Sequence, residues 1–79
     1  MSDQDPIVAV VDATGLDCPL PLLKAKQGLK GLKAGQCLQV SATDPGSKRD
    51  FSVFAELSGN VLISAGEADG VYTYVIKKI

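Results

Sequence analysis

Apolar and polar positions along this chain change period several times, and each change marks an element. After a short polar lead over residues 1–6, Ile7-Val-Ala-Val-Val11 is continuous and rich in β-branched residues, which predicts a buried strand. Asp12-Ala-Thr-Gly-Leu-Asp17 is loop chemistry. From Cys18-Pro-Leu-Pro-Leu-Leu-Lys24 the period lengthens. Leu22, Ala25, Leu29 and Leu32 recur at helical spacing, so a helix is expected from about Cys18 to Leu32, with Lys33-Ala-Gly35 as a glycine stop. Gln36 to Thr43 alternates, with Leu38, Val40 and Ala42 on one face of a second strand. Asp44-Pro-Gly-Ser-Lys-Arg-Asp50 carries two helix-start signals, Asp44 as a cap and Ser47 with Asp50 as a capping box. That second helix continues through Phe51, Phe54, Ala55 and Leu57 to Ser58-Gly-Asn60. Val61-Leu-Ile-Ser64 and Val71 to Ile76 read as two more strands, joined by a hairpin loop over Gly66–Gly70.

The order is therefore β-α-β-α-β-β. Two helices cover only one face of four strands, which predicts an α/β (α+β) two-layer sandwich, a mixed four-stranded sheet with both helices on one face. Residues 7–79 form a single domain, with 1–6 as a flexible N-terminal lead.

Composition narrows the chemistry. Eight basic and nine acidic residues leave a net charge of −1, which argues against strong direct nucleic-acid binding. Four aromatic residues without a tryptophan offer little for base stacking. No run approaches the ~20 apolar residues of a membrane span. Met1-Ser-Asp-Gln-Asp5 is acidic where an export signal needs a basic region, so a cytoplasmic location is expected. The chain has no histidine, which removes a Cys–His nucleophile pair, an obvious proton-transfer base and any His-containing zinc site. Two cysteines cannot close a Cys-only zinc site within one chain. Neither a metal nor a cofactor is expected.

Cys18 is the candidate reactive residue. At the start of a helix, unpaired N–H groups and the positive end of the dipole favour a thiolate. Pro19 and Pro21 fix that turn. In a thioredoxin-like motif the position three residues on is a resolving cysteine, whereas here it is Pro21. Cys37 lies past the far end of a helix ~20 Å long, while a disulfide needs Cα atoms within ~7 Å. Cys37 is also out of phase with the apolar face of its strand, so it is assigned a structural or incidental place. If the first two strands end at the same edge, Asp44, Lys48 and Arg49 neighbour Cys18. Arg49 or Lys48 would then steady an anionic sulfur and Asp44 would orient one of them or cap the helix. Lys26 and Lys30 form a basic ridge on the first helix, either as snorkelling lysines or as a docking surface for an acidic partner or for RNA.

These segments carry a resemblance. Asp12-Ala-Thr-Gly-Leu-Asp-Cys-Pro-Leu-Pro21 resembles the Cys-Pro-x-Pro signature of the TusA/SirA-like sulfur-transfer proteins, and Thr43-Asp-Pro-Gly-Ser-Lys-Arg-Asp50 resembles that family's second signature loop. The likeness runs from about Val8 to Lys78. It implies a fold like the C-terminal domain of translation initiation factor three. It also implies a sulfurtransferase that accepts sulfane sulfur on Cys18 as a persulfide from a cysteine desulfurase or rhodanese and relays it to a downstream sulfur-carrier protein. Within the family such relays serve tRNA thiolation, molybdenum cofactor synthesis or sulfur oxidation. Asp44 and Arg49 match candidate supporting positions. Position 20, often acidic in the family's namesake, is Leu20 here. The alternatives are a thiol redox or regulatory protein using Cys18, and a non-catalytic module that binds a partner through the first helix.

Overall fold

The computed structural model describes residues 6–79; the lead over residues 1–5 lies outside the described residues. The elements follow the expected order: β1 (Ile7–Ala13), α1 (Leu20–Lys30), β2 (Cys37–Ala42), α2 (Ser47–Ser58), β3 (Val61–Ala68) and β4 (Val71–Lys77). They form one sheet in the order β1-β2-β4-β3, with β1 parallel to β2 and the other neighbours antiparallel. Helix α1 packs on β1 and β2, α2 packs on β3 and β4, and the helices touch each other.

Strand register explains where the core sits. Val11, Val40, Tyr74 and Ala65 are paired in sequence across the four strands, as are Ala9, Leu38, Ile76 and Leu62. These rows face the helices and meet Ala25, Leu29 and Phe51. The intervening row of Val10, Gln39, Val75 and Ser64 points the other way, because successive strand residues alternate faces. Val10 is 67% exposed. The expectation that β1 is a buried strand is thus corrected. It is an edge strand with one covered face, and Ile7, Val8 and Val10 stay exposed because two helices cannot clothe both sides.

Helix α1 buries Pro21, Ala25 and Leu29, with Leu22 and Leu32 packed at the margin. It is shorter than the spacing suggested. It starts at Leu20, with Pro19 at the cap, and ends at Lys30. The Lys78 ammonium donates to the carbonyls of Leu29 and Leu32, both at 2.9 Å, which satisfies acceptors that further helix would have used. Gly31 takes the cap, and Gly35, at φ +91°, makes the later turn into β2. Gly28 has its own reason: a Cβ there would lie 3.1 Å from both Leu38 methyls and 3.2 Å from Val11. The helix therefore approaches the sheet closely at that point.

The start of α2 also differs. Gly46 is the cap and no side chain caps it, so neither the Asp44 cap nor the Ser47–Asp50 capping box forms. Ser47 instead points into the core, where its hydroxyl lies 2.7 Å from the Tyr74 hydroxyl. The Tyr74 ring stacks on Phe51 with centroids 4.4 Å apart. Burial pushes the Tyr74 phenol above its usual value, partly offset by the Ser47 hydrogen bond. At the other end Gly59, at φ +81°, closes the helix as its sequence implied. The β3–β4 hairpin is tighter than the five-residue loop foreseen. Asp69 and Gly70 alone form the turn, both at positive φ, which suits the right-handed twist of the flanking strands. No helix among the described residues is long and apolar enough to cross a membrane.

Candidate functional site

Because β1 and β2 are parallel and in register up to Ala13 and Ala42, the loops that follow them leave the sheet at the same edge. The first loop is organised by Asp12, whose Oδ1 accepts from the Thr14 backbone N–H at 3.0 Å and the Thr14 hydroxyl at 2.6 Å. These hydrogen bonds hold the Asp12 carboxyl below its ordinary value. Gly15, at φ +80°, then donates its N–H to Thr43 Oγ1 at 2.8 Å, tying the first loop to the second across the chain. Asp17 and Cys18 follow. The Asp17 carbonyl accepts from Leu20 N at 2.8 Å and the Pro19 carbonyl from Leu23 N at 3.1 Å, which starts α1. The Cys18–Pro19 peptide is cis.

Cys18 is exposed, and its thiol donates to Asp50 Oδ2 at 2.8 Å. Asp50 sits in the first turn of α2, where the Gly46 carbonyl accepts its N–H at 3.1 Å. Asp44 comes from the loop between β2 and α2. Its Oδ2 is buried and has no hydrogen-bond partner among the described residues. One ligand-type atom each from Cys18, Asp44 and Asp50 lies within 4.8 Å of the others. This mixed thiol–carboxylate cluster was not among the metal sites weighed from the sequence, which considered His and Cys-only sets. The one hydrogen bond recorded within it runs from the thiol to a carboxylate.

This arrangement reverses the expected electrostatics. The hydrogen bond to Asp50, desolvation, and the negative charges of Asp50 and Asp44 all raise the Cys18 thiol above its ordinary value. In place of a thiolate favoured at a helix end, the fold sets a thiol guarded by two carboxylates that disfavour its ionisation. Pro19 stands between Cys18 and the first helical residue, Leu20, and contributes no N–H of its own.

The other foreseen neighbours divide. Asp44 is beside Cys18, as expected, but does not cap α2. Lys48 faces away and lines a recess of about 230 Å³ with Glu67 and Tyr72 under the β3–β4 hairpin. Arg49 lines a groove of about 670 Å³ between the helices together with Leu22, Lys26, Asp50, Phe54 and Leu57. Neither cation is among the groups that shift the thiol. Successive helical residues point about 100° apart, and of these three neighbours in sequence it is Asp50 that hydrogen-bonds Cys18. Pro21 is a core residue, its ring buried beneath α1. Lys26 holds its ammonium 5.5 Å above the Phe54 ring, bridging the helices, while Lys30 is exposed near the α1 C-terminus. Cys37 is fully buried at the start of β2, paired with Ile7 and Lys77, and no disulfide joins it to Cys18.

Asp50 is the residue the sequence did not single out. Its place three positions after Ser47 imitated a capping box, and that local pattern hid a contact made 32 residues away. The available signal was the register itself: once the two loops share an edge, the first turn of α2 also faces Cys18.

Comparisons with known proteins agree with this topology. The family model described as Sulfurtransferase TusA matches residues 9–78. A sulfur carrier protein TusA from Allochromatium vinosum is 50% identical over 68 residues, covering 86% of this chain and 90% of its own. A putative sulfur carrier protein from Neisseria meningitidis serogroup A is 48% identical over 67 residues, covering 85% and 90%. Among solved structures, a SirA-like protein from Desulfitobacterium hafniense superposes with a TM-score of 0.79 at 30% identity, covering 89% of this chain and 96% of that one. With the likeness spanning both signature loops and every strand and helix between them, the chain belongs to the sulfurtransferase TusA family.

Proposed function

We propose that this protein is a sulfur carrier that holds sulfane sulfur as a persulfide on Cys18 and relays it between partner proteins. The observation that carries the reading is an exposed thiol beside a short turn, with the chain's other cysteine buried at the opposite end of β2. Such a sulfur has no thiol with which to close an internal disulfide. It accepts cargo from one partner and surrenders it to the next. The names of the relatives, sulfur carrier proteins at about half identity, support the same chemistry.

The donor in this reading is a cysteine desulfurase or a rhodanese, and the acceptor a further sulfur-carrier protein. Transfer requires both partners to reach Cys18, and its exposure meets that need. The raised thiol weighs against the redox-sensor alternative, because peroxide reacts with the thiolate and selects cysteines of low pKa.

The test is intact-mass measurement after incubation with a cysteine desulfurase and cysteine. One sulfur, a gain of ~32 Da as a persulfide, is expected on Cys18. Cys18→Ser should abolish the gain. A protein that stays unmodified with both a desulfurase and a rhodanese–thiosulfate donor would refute the reading.

A further inference from the structure

The chain lacks histidine, yet sulfur transfer to a neutral thiol has to dispose of a proton. We propose that Asp50 is the acid–base partner of Cys18: its Oδ2 accepts the thiol proton as the sulfur attacks a donor persulfide, and returns it to the sulfur that leaves. The inference rests on the carrier reading above and adds a second catalytic residue to it.

Three observations carry it. The thiol already donates to Asp50 Oδ2 at 2.8 Å, so donor and acceptor are in contact before any partner arrives. Asp50 also lines the groove between the helices with Leu22 and Arg49, so one edge of the residue meets Cys18 while its surroundings open to solvent. Third, the ligand atoms of Cys18, Asp50 from α2 and Asp44 from the preceding loop lie within 4.8 Å of one another, so the charges gathered at the thiol in this cluster are both acidic. Asp44 Oδ2 has no hydrogen-bond partner among the described residues and adds negative charge without a contact that would move a proton.

The chemistry balances. Cys18 Sγ attacks the outer sulfur of a persulfide R–S–SH. One S–S bond forms, the donor's S–S bond breaks, and its inner sulfur leaves with the bonding pair. The proton lost from Cys18 reaches that leaving sulfur through Asp50, giving R–SH and a Cys18 persulfide, so no external oxidant or reductant is consumed. At rest a carboxylate is far too weak a base to take a thiol proton, and the thiol stays protonated. As the new S–S bond forms, the proton on Sγ becomes strongly acidic, and a carboxylate then suffices as acceptor. Discharge to an acceptor runs the same steps in reverse.

This assignment predicts that removing the charge has opposite effects on two reactions of the same sulfur. Alkylation by iodoacetamide needs only thiolate, so in Asp50→Asn its pH midpoint should fall and its rate at neutral pH should rise. Loading from glutathione persulfide, followed as the ~32 Da gain located on Cys18 by peptide mapping, should slow by ~10²-fold, the lower range for general acid–base catalysis. Asp50→Glu, which keeps the carboxylate, should recover part of the loading rate. Wild-type loading should also be slower in heavy water, a measurement that does not depend on any variant folding. Loading by Asp50→Asn that matches or exceeds wild type overturns the proposal, as does slow loading with an unmoved alkylation midpoint, or a wild-type rate indifferent to heavy water. A wild type that takes up no sulfur from any persulfide donor overturns the carrier reading as well, which separates the two failures.

Discussion

Gly28 and Gly31 look alike in the sequence and differ in what surrounds them. A Cβ at Gly28 would press within 3.1 Å of the Leu38 methyls, and Leu38 is fully buried. At Gly31 the nearest atom to such a Cβ is the Gly28 carbonyl oxygen at 3.8 Å, an ordinary contact. Alanine improves helix propensity by ~1 kcal/mol over glycine, whereas overpacking a core costs ~1–3 kcal/mol. Gly28→Ala is therefore expected to lower stability by about 1 kcal/mol net, while Gly31→Ala should leave it unchanged or slightly raised. Urea unfolding of both variants checks this, and equal shifts would remove the close-approach account of Gly28. The same contrast shows the limit of reading single residues. Both glycines are visible as departures from helix propensity, but only the register of α1 against Leu38 and Val11 says which one the fold requires.

At the scale of elements, apolar periodicity located α1 and β2, since Leu22, Ala25 and Leu29, or Leu38, Val40 and Ala42, share a face only under one period, while β1 showed as a continuous β-branched run. What it did not locate were ends. The chain leaves α1 at Lys30, two residues before the expected end at Leu32, where Lys78, at 46 and 49 residues' separation, donates to the Leu32 and Leu29 carbonyls. No local pattern near Gly35 reports that contact. Hydrogen bonds from charged donors contribute ~1.5–3 kcal/mol, so Lys78→Met is expected to cost at least about 1 kcal/mol after its aliphatic packing is kept. Amide hydrogen exchange should show the loss first in the last turn of α1, over residues 27–30. Uniform acceleration across the sheet would mean instead that Lys78 serves global packing. The start of α2 was obscured for a related reason: Ser47 and Asp50 carry the letters of a capping box while their side chains serve Tyr74 and Cys18.

For the whole molecule, the candidate site exists only when two segments distant in the chain are brought to one edge of the sheet. Gly15 N–H to Thr43 Oγ1 joins those segments, and Cys18 and Asp50 close the same seam. Cys18 was legible in the sequence because its motif is contiguous. Its environment was legible only in part: the shared edge of β1 and β2 brought Asp44 to it, while proximity to Asp50 depends on the phase of α2 as well. The acidity of the thiol is correspondingly a property of the assembled fold. A group whose folded pKa is raised stabilises the fold while protonated. That contribution is intact below the unfolded thiol value of ~8.5 and disappears as pH climbs through the higher folded value.

One consequence inverts the usual logic of cysteine footprinting. Ordinarily the native state makes a functional thiol more nucleophilic than it is in a denatured chain. Here denaturation removes both carboxylates from the vicinity of Cys18, so near pH 8 iodoacetamide should tag that residue faster in concentrated urea than in buffer, even though it is solvent-accessible in both. Faster tagging of the native protein would contradict the guarded thiol. If the inversion holds, damaged copies advertise themselves to electrophiles while intact ones pass unmarked, and an alkylating probe becomes a counter of misfolded molecules.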